Sequence, residues 1–208
     1  MSELLLLSGG IDSIAVAAWR RPSLCLTINY GQAPATAEFI AAKQVCKDLG
    51  LQWQGLTIPI RELGAGDLAS EAPSRCSDKS EFWPFRNQFL VTVAAMAAIK
   101  NTCSTVLVGT VSTDNRHVDG SAAFIEKLGA ILNMQEGALM LDAPAKGLSS
   151  VELIKRSKIS MSVLGWAHSC HLSNLACGSC AGCIKHTNVM QEMQRRDKDG
   201  SSQNAICC

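Results

Sequence analysis

The hydrophobic positions of this chain fall into short apolar runs that alternate with longer amphipathic segments. Five short runs rich in Leu, Ile and Val predict buried β-strands: 4–7, 23–30, 53–58, 105–110 and 138–141. Four segments with apolar residues at helical spacing predict α-helices: 14–19, 33–49, 86–100 and 121–135. Strands that alternate with helices in this way predict an α/β fold, with a parallel sheet covered by helices on both faces.

Two regions depart from this alternation. Residues 59–84 hold three of the six prolines and show little periodicity, so we expect a long loop with at most one short helix. From Ala143 the character changes, because a helix capped by Ser149 or Ser150 is followed by a cluster of cysteines and a polar tail. We therefore predict an α/β nucleotide-binding unit over 1–145 and a helical, cysteine-rich region over 146–208, packed as parts of one domain.

Composition narrows the function classes. Apolar residues make up 47% of 208 positions, which is enough for a sizeable core, and the formal net charge is +1. A chain without a global basic field is a poor candidate for binding nucleic acid or an anionic membrane. The apolar run at 4–7 is too short for a signal peptide, so we expect a cytoplasmic protein without a membrane segment. Ten cysteines in a reducing compartment favour a metal site over disulfides.

The first candidate site is the loop between the first predicted strand and helix. It reads Ser8-Gly9-Gly10-Ile11-Asp12-Ser13. A helix N-terminus offers unpaired N–H groups and the positive end of the helix dipole to a phosphate, and glycines let the anion approach the backbone. Asp12 would suit a bound Mg²⁺ or would cap the helix. The loop therefore predicts a phosphate-binding site.

The second candidate site is a group of four cysteines: Cys170, Cys177, Cys180 and Cys183. Their spacing, C-x6-C-x2-C-x2-C, suits four thiolate ligands around a structural Zn²⁺. An iron–sulfur cluster is the alternative, since it also takes four thiolates. His171 or His186 could replace one cysteine as a ligand, which we favour less. The other six cysteines show no such pattern.

The two sites together resemble a known family. The loop 8–13 resembles the SGGxDS signature of PP-loop ATP pyrophosphatases, whose fold is similar to that of the adenine nucleotide alpha hydrolases. With the four cysteines, the chain resembles 7-cyano-7-deazaguanine synthase, the QueC family. Asn29-Tyr30-Gly31-Gln32 resembles that family's Asp-Tyr-Gly-Gln, and Pro84-Phe85-Arg86-Asn87 its Pro-x-Arg-Asn. Gly109, with Thr113-Asp114, resembles its Gly-x-x-x-x-Asp loop.

The resemblance implies an ATP-dependent ligase with ATP, Mg²⁺ and Zn²⁺ as cofactors. Such an enzyme adenylates the carboxylate of 7-carboxy-7-deazaguanine, forms an amide with ammonia and, with a second ATP, a nitrile. The implied nucleotide-binding residues are Ser8, Gly9, Gly10, Ile11, Asp12, Ser13, Tyr30, Gly31, Gln32, Asn87 and Gly109. The implied catalytic residues are Asp12, Arg86, Asp114, His117 and Asp119.

The chain departs from the family where the deazaguanine would bind. The family's Gly-Tyr-Pro-Asp-Cys-Arg is Arg-His-Val-Asp-Gly-Ser over 116–121, so only Asp119 is kept. Asn29 replaces an Asp, Phe85 a Gly and Ser150 a Lys, although Lys146 could substitute for that Lys. These changes resemble QueC-like proteins of bacterial anti-phage, CBASS-type operons, which join a deazaguanine to a protein amine through an amide.

We therefore favour, by a narrow margin, an operon-encoded protein amine such as an N-terminus as the acceptor, in anti-phage defence. The housekeeping synthase that uses ammonia is the alternative. Two other classes are a PP-loop sulfur-transfer enzyme acting on RNA and a non-catalytic nucleotide-binding partner protein. The sequence leaves the oligomeric state open, with a homodimer among the options.

Overall fold

The sheet has five parallel strands. The computed structural model describes residues 2–113 and 117–203 of the chain. The strands are β1 (Glu3–Leu6), β2 (Leu24–Asn29), β3 (Trp53–Thr57), β4 (Thr105–Leu107) and β5 (Met140–Asp142). Their order in the sheet is β3-β2-β1-β4-β5, and every neighbouring pair is parallel. The central β1 places Leu5 beside Cys25 on one side and beside Leu107 on the other.

Eight α-helices connect and follow these strands within the described residues. They are α1 (Ile11–Arg20), α2 (Ala35–Leu49), α3 (Gly66–Ala69), α4 (Arg86–Lys100), α5 (Ala122–Asn133), α6 (Ser150–Ser157), α7 (Met161–Leu164) and α8 (Ala181–Gln203). Short 3-10 turns lie at Arg61–Leu63 and Val118–Gly120. Among the described helices, none combines the length and the apolar character that a membrane crossing requires.

Hydrophobic layers cover both faces of the sheet, as the sequence predicted. Successive side chains of a strand point to opposite faces. In β1, Leu4 accordingly joins a layer with the apolar face of α4, while the neighbouring Leu5 joins a layer with α1 and α6. Both leucines are fully buried. The predicted α/β class with helices on both faces is confirmed.

The elements lie where the apolar pattern placed them, although every strand except β1 is shorter than predicted. The fourth strand ends at Leu107 rather than at residue 110, because the chain leaves the sheet and brings Gly109 against Ser13 of α1. Helix α2 ends at Gly50, whose φ of 64° is left-handed as a glycine C-cap requires. The long loop before α4 contains a single α-helical turn, α3, together with one of the 3-10 turns.

The C-terminal region packs on the same sheet layer. Helix α6 begins after Ser149, which forms a capping box with Glu152, while Ser150 is buried in the first turn. Leu153 and Ile154 of α6 join the hydrophobic layer on α1, and Val189 of α8 joins the same layer.

Helix α4 starts with an unfavourable backbone conformation. Its N-cap residue, Phe85, has φ 56° and ψ 13°, and its side chain is 75% exposed. The left-handed region costs residues other than glycine roughly 1–2 kcal/mol. A glycine, which the family resemblance places here, would adopt this conformation without steric strain, whereas Phe85 is strained in it.

Replacing Phe85 with Gly should therefore raise the free energy of unfolding by about 1 kcal/mol, because the relief of backbone strain exceeds the entropy that glycine loses on folding. Urea denaturation measures the change. Phe85→Ala is the matched control, since it removes the ring but keeps the strain, and equal stability of the Gly and Ala variants would contradict the argument.

Candidate functional site

The loop after β1 forms a cradle at the start of α1. Gly9 has φ 79°, and a Cβ on it would lie 2.8 Å from the backbone oxygen of Glu38, so only glycine fits there. Gly10 is the N-cap of α1 in an extended conformation. Ser13 Oγ donates to the Gly10 carbonyl at 2.9 Å and lies 3.1 Å from Ser8 Oγ. The loop thus places two serine hydroxyls beside the N-terminus of α1.

A cavity of about 440 Å³ lies in front of this loop, at the carboxyl edge of the sheet. Its wall includes the ends of β1 and β2, the chain after β4, the start of α4 and the turns around the start of α8. The structure brings most of the sequence-predicted site residues to this wall: Ser8, Gly10, Ile11, Asp12, Ser13, Tyr30, Arg86, Asn87, Gly109, His117 and Asp119. Ligands of open α/β sheets bind at this edge.

Gly9, Gly31 and Gln32 lie outside the cavity wall, and Asp114 lies outside the described residues. Gln32 holds the turn after β2 instead. It accepts a hydrogen bond from Tyr30 N at 2.8 Å and donates to the Ile28 carbonyl at 3.0 Å and to Glu38 Oε2 at 2.7 Å. This geometry gives Gln32 a role in positioning Tyr30 and Glu38.

Glu38 is an acidic member of the wall that the sequence did not single out. It lies in the first turn of α2. Burial raises the pKa of its carboxyl to about 7, although the amide of Gln32 and the Arg86 guanidinium both oppose the rise. Burial likewise raises the pKa of Tyr30, against the effect of Arg86. Arg86 thus lies beside two buried groups of the wall.

The loop that departs from the family meets the long loop before α4. His117 Nε2 lies 3.3 Å from Oε1 of Glu81, whose side chain is 4% exposed, and the imidazole stacks on Phe82. Asp119 Oδ2 accepts a long hydrogen bond of 3.4 Å from Asn87 N. Asp119 therefore lies at the positive end of α4, where a carboxylate is stabilised. Glu81 was missed in the sequence because no motif surrounds it.

The turns before α8 pack directly on the loop 8–13, which we call the phosphate-type loop. His168 N donates to the Gly9 carbonyl at 2.9 Å. Lys185 of α8 forms an ion pair with Asp12, with 2.8 Å between Nζ and Oδ2. The other oxygen, Oδ1, is buried and has no hydrogen-bond partner among the described residues. The sequence showed no link between Lys185 and Asp12, since 173 positions separate them.

The four predicted cysteines come together around the start of α8. The Sγ atoms of Cys170, Cys177, Cys180 and Cys183 all lie within 4.8 Å of one another. Backbone N–H groups point at the sulfurs, with Cys180 N 3.4 Å from Cys177 Sγ and Cys183 N 3.5 Å from Cys180 Sγ. Such N–H groups lower the pKa of the Cys177 thiol to about 6, whereas burial raises that of Cys183 to about 12.

This arrangement fits a metal ion. Four adjacent thiolates repel one another, and a central cation would stabilise all of them at once. Zn²⁺ in a closed structural site takes four such ligands, which leaves no open position for a substrate. The predicted zinc site therefore has the donor set and the compactness it needs, and neither His171 nor His186 has to serve as a ligand.

Comparison with known proteins identifies the same family that the sequence motifs resemble. Residues 2–194 match the profile of the family described as queuosine biosynthesis protein QueC. Relatives include the 7-cyano-7-deazaguanine synthase 1 of Desulfitobacterium hafniense, 29% identical over 94% of both chains. Synthases of the same name from Methanosarcina mazei and Campylobacter curvus are 24% and 27% identical, over 95% and 93% of this chain and 96% and 94% of theirs.

The fold and the site define an α/β protein with a glycine-containing loop at the carboxyl edge of a parallel sheet and a cluster of four cysteines beside it. The chain belongs to the QueC family, as the sequence resemblance indicated. It is thus a member of a family of enzymes whose relatives are named for a 7-deazaguanine product.

Replacing Cys180 with Ser should remove the metal and lower the melting temperature markedly, because a three-thiolate site leaves the turns before α8 without their cross-link. Metal analysis of the purified protein and thermal denaturation measure both effects. The exposed Cys76 provides the control as Cys76→Ser. Unchanged metal content in the Cys180 variant would contradict the assignment.

The raised pKa of Glu38 predicts a pH-dependent stability. Its carboxyl titrates at 4.5 when unfolded and at about 7 when folded, so its contribution is present below pH 4.5 and is lost as the pH rises through 7. Relative to Glu38→Gln, the wild type should lose up to about 3 kcal/mol of stability between pH 4.5 and pH 8. Urea denaturation at several pH values measures this difference.

Glu62, which is exposed, supplies the control variant Glu62→Gln. It should follow the wild type at every pH. A parallel pH profile for the Glu38 and Glu62 variants would show that the Glu38 carboxyl has an ordinary pKa.

Proposed function

We propose that this protein is an ATP-dependent, AMP-forming ligase that activates the carboxylate of 7-carboxy-7-deazaguanine and transfers it to ammonia, as a 7-cyano-7-deazaguanine synthase. The observation that carries the proposal is a single cavity that holds both the loop 8–13 at the N-terminus of α1 and Arg86 at the start of α4. An anion-binding loop and a facing guanidinium suit a polyphosphate.

The first step is an adenylation. A carboxylate oxygen of the substrate attacks the α-phosphorus of ATP, the bond to the β-phosphate oxygen breaks, and pyrophosphate leaves. Negative charge accumulates on pyrophosphate during this step. The N–H groups at the start of α1, the hydroxyl of Ser13 and the guanidinium of Arg86 are the groups of this chain that would stabilise it.

Mg²⁺ would be held by Asp12, whose buried and unpartnered Oδ1 is suited to a hard cation. When bound, the ion would neutralise part of the phosphate charge. Zn²⁺ would be held by the four cysteines and would supply cross-linking rather than chemistry, because its four positions are filled.

The second step forms the amide. The nitrogen of ammonia attacks the acyl carbon, AMP leaves with the carboxyl oxygen, and one proton passes to solvent. The amide oxygen then attacks the α-phosphorus of a second ATP and a second pyrophosphate leaves, and loss of AMP and two protons gives the nitrile. His117 and Asp119, together with Glu81, are the polar groups that we assign to the deazaguanine side of the cavity.

The names of the relatives and the altered loop favour different acceptors of the acyl group. The matched relatives are named for the nitrile product, which favours ammonia over the protein amine that the sequence analysis preferred. Two of the altered residues, His117 and Gly120, line the cavity and are the observation in favour of an amide-forming ligase with a protein acceptor. We therefore keep that reaction as the second candidate.

Replacing Asp12 with Asn or Arg86 with Ala should lower pyrophosphate release about 10²–10³-fold, because each change removes a group that interacts with the charge on the leaving pyrophosphate. The assay supplies ATP, Mg²⁺, 7-carboxy-7-deazaguanine and ammonia. The exposed Asp48 gives the control Asp48→Asn. Turnover of either site variant at the wild-type rate would overturn the site assignment.

Mass spectrometry of the same reaction identifies the acceptor. Conversion of the acid to the nitrile with ammonia alone supports the synthase. A product that stops at the amide, or that appears on a co-expressed protein, supports the second candidate, and sulfur incorporation into RNA would exclude both.

A further inference from the structure

The C-terminal region forms one wall of the nucleotide cavity as well as the cysteine site. Three of its residues, Ser169, Lys185 and His186, belong to the cavity wall, and Ser169 Oγ lies 3.2 Å from His186 Nδ1. Gly10 of the phosphate-type loop lies next to the same segment, since a Cβ on it would be in ordinary van der Waals contact, 3.9 Å from the His168 carbonyl oxygen. The two sites are therefore adjacent in space.

Carboxylates outnumber the Lys and Arg side chains on the described wall of the cavity. The described wall carries four carboxylates: Asp12, Glu38, Glu81 and Asp119. Arg86 and Lys185 are the Lys and Arg side chains among its described residues. Arg86 lies beside Tyr30 and Glu38, on the α4 side of the cavity. Of these two basic side chains, Lys185 is the one that contacts the phosphate-type loop, through Asp12.

Lys185 is partly exposed and well placed to change partners. Its side chain is 35% exposed, whereas that of Asp12 is 12% exposed. The ammonium contacts Asp12 in the second residue of α1, next to the N–H groups at the N-terminus of the helix. An anion held by those N–H groups would lie within reach of the same ammonium, because a Lys side chain has a flexible four-carbon stem.

The start of α8 determines this position. Cys183 lies two residues before Lys185 in the first turn of the helix, and Cys180 directly precedes the helix. Cys180 and Cys183 belong to the four-cysteine cluster, and the same region contacts the phosphate-type loop through the His168 N–H and Lys185. A lysine from a distant part of the chain is thereby fixed at the anion site.

We propose that Lys185 is a binding residue for the β- and γ-phosphates of ATP and for the pyrophosphate that leaves. This inference rests on the proposed function. In the structure Lys185 neutralises Asp12. On nucleotide binding its ammonium contacts the phosphates, while the carboxylate of Asp12 becomes free for a cation.

The test compares the binding of inorganic pyrophosphate and of AMP, each with Mg²⁺, by calorimetry on the full-length protein. Lys185→Met should weaken pyrophosphate binding at least tenfold and leave AMP binding within twofold, since AMP has no β- or γ-phosphate. Lys185→Arg should retain part of the pyrophosphate affinity, because it keeps the charge. The exposed Lys155 gives the control Lys155→Met, which should bind both ligands as the wild type does.

A double-mutant cycle separates contact with phosphate from mere neutralisation of Asp12. In an Asp12→Asn background, Lys185→Met should still weaken pyrophosphate binding if the ammonium contacts the phosphates. Loss of the effect in that background would overturn the proposal, as would unchanged pyrophosphate binding in Lys185→Met or an equal fall in AMP binding. Lys185→Gln, checked by circular dichroism, replaces the Met variant if that variant does not fold.

The wild type distinguishes this inference from the proposed function. A wild type that binds ATP and releases pyrophosphate, together with a Lys185 variant that behaves identically, refutes only the role of Lys185. A wild type that binds neither ATP nor pyrophosphate refutes the proposed function and, with it, the role of Lys185.

Discussion

The burial of β1 between β2 and β4 is the constraint on which the rest of the molecule depends. Both faces of this strand are apolar, and Leu4 and Leu5 are fully buried in opposite layers. A strand of this kind is stable only in the middle of a parallel sheet. Its carboxyl end must then open into a crevice beside the ends of its neighbours, and the chain has to turn sharply there to enter α1. The site residues collect at this turn for that reason.

The balance of charge within the crevice follows from this geometry. Several carboxylates face a space that is partly closed to water, where unpaired charges are costly. The structure places Arg86 beside Glu38 and Lys185 on Asp12, while burial still raises the pKa of Glu38. Under the proposed function, phosphate groups and a divalent cation would add to this balance of charge.

The cysteine site links two parts of the chain that are far apart in sequence. It fixes the start of α8 and the turns before it, and those turns contact the loop at Gly9 and Asp12. A metal that only stabilised a peripheral lobe would not need this contact. The turns around the four cysteines form part of the cavity wall, so a metal held there would cross-link residues that also shape the cavity.

The sequence alone determined the fold class, the positions of the main elements, the phosphate-type loop and the four cysteines. These features are local or periodic: a strand, a helix and a glycine turn are written in neighbouring residues, and C-x2-C spacing brings thiols together over one turn. The resemblance to the QueC family rests on the same kind of local motif, and the match of residues 2–194 to the family profile confirms it. The identity of the acceptor was not readable in this way, because it depends on loops without a local rule.

Only the tertiary structure decided which residues face one another across the crevice. Glu38 and Glu81 have no motif around them, yet the sheet edge and the long loop place both in the wall. Gln32 makes its hydrogen bonds within the fold and holds the turn after β2, a role that its place in the sequence motif does not reveal. The pair between Asp12 and Lys185 joins the two ends of the chain. Such contacts depend on packing between distant segments, and no pattern in the sequence records them.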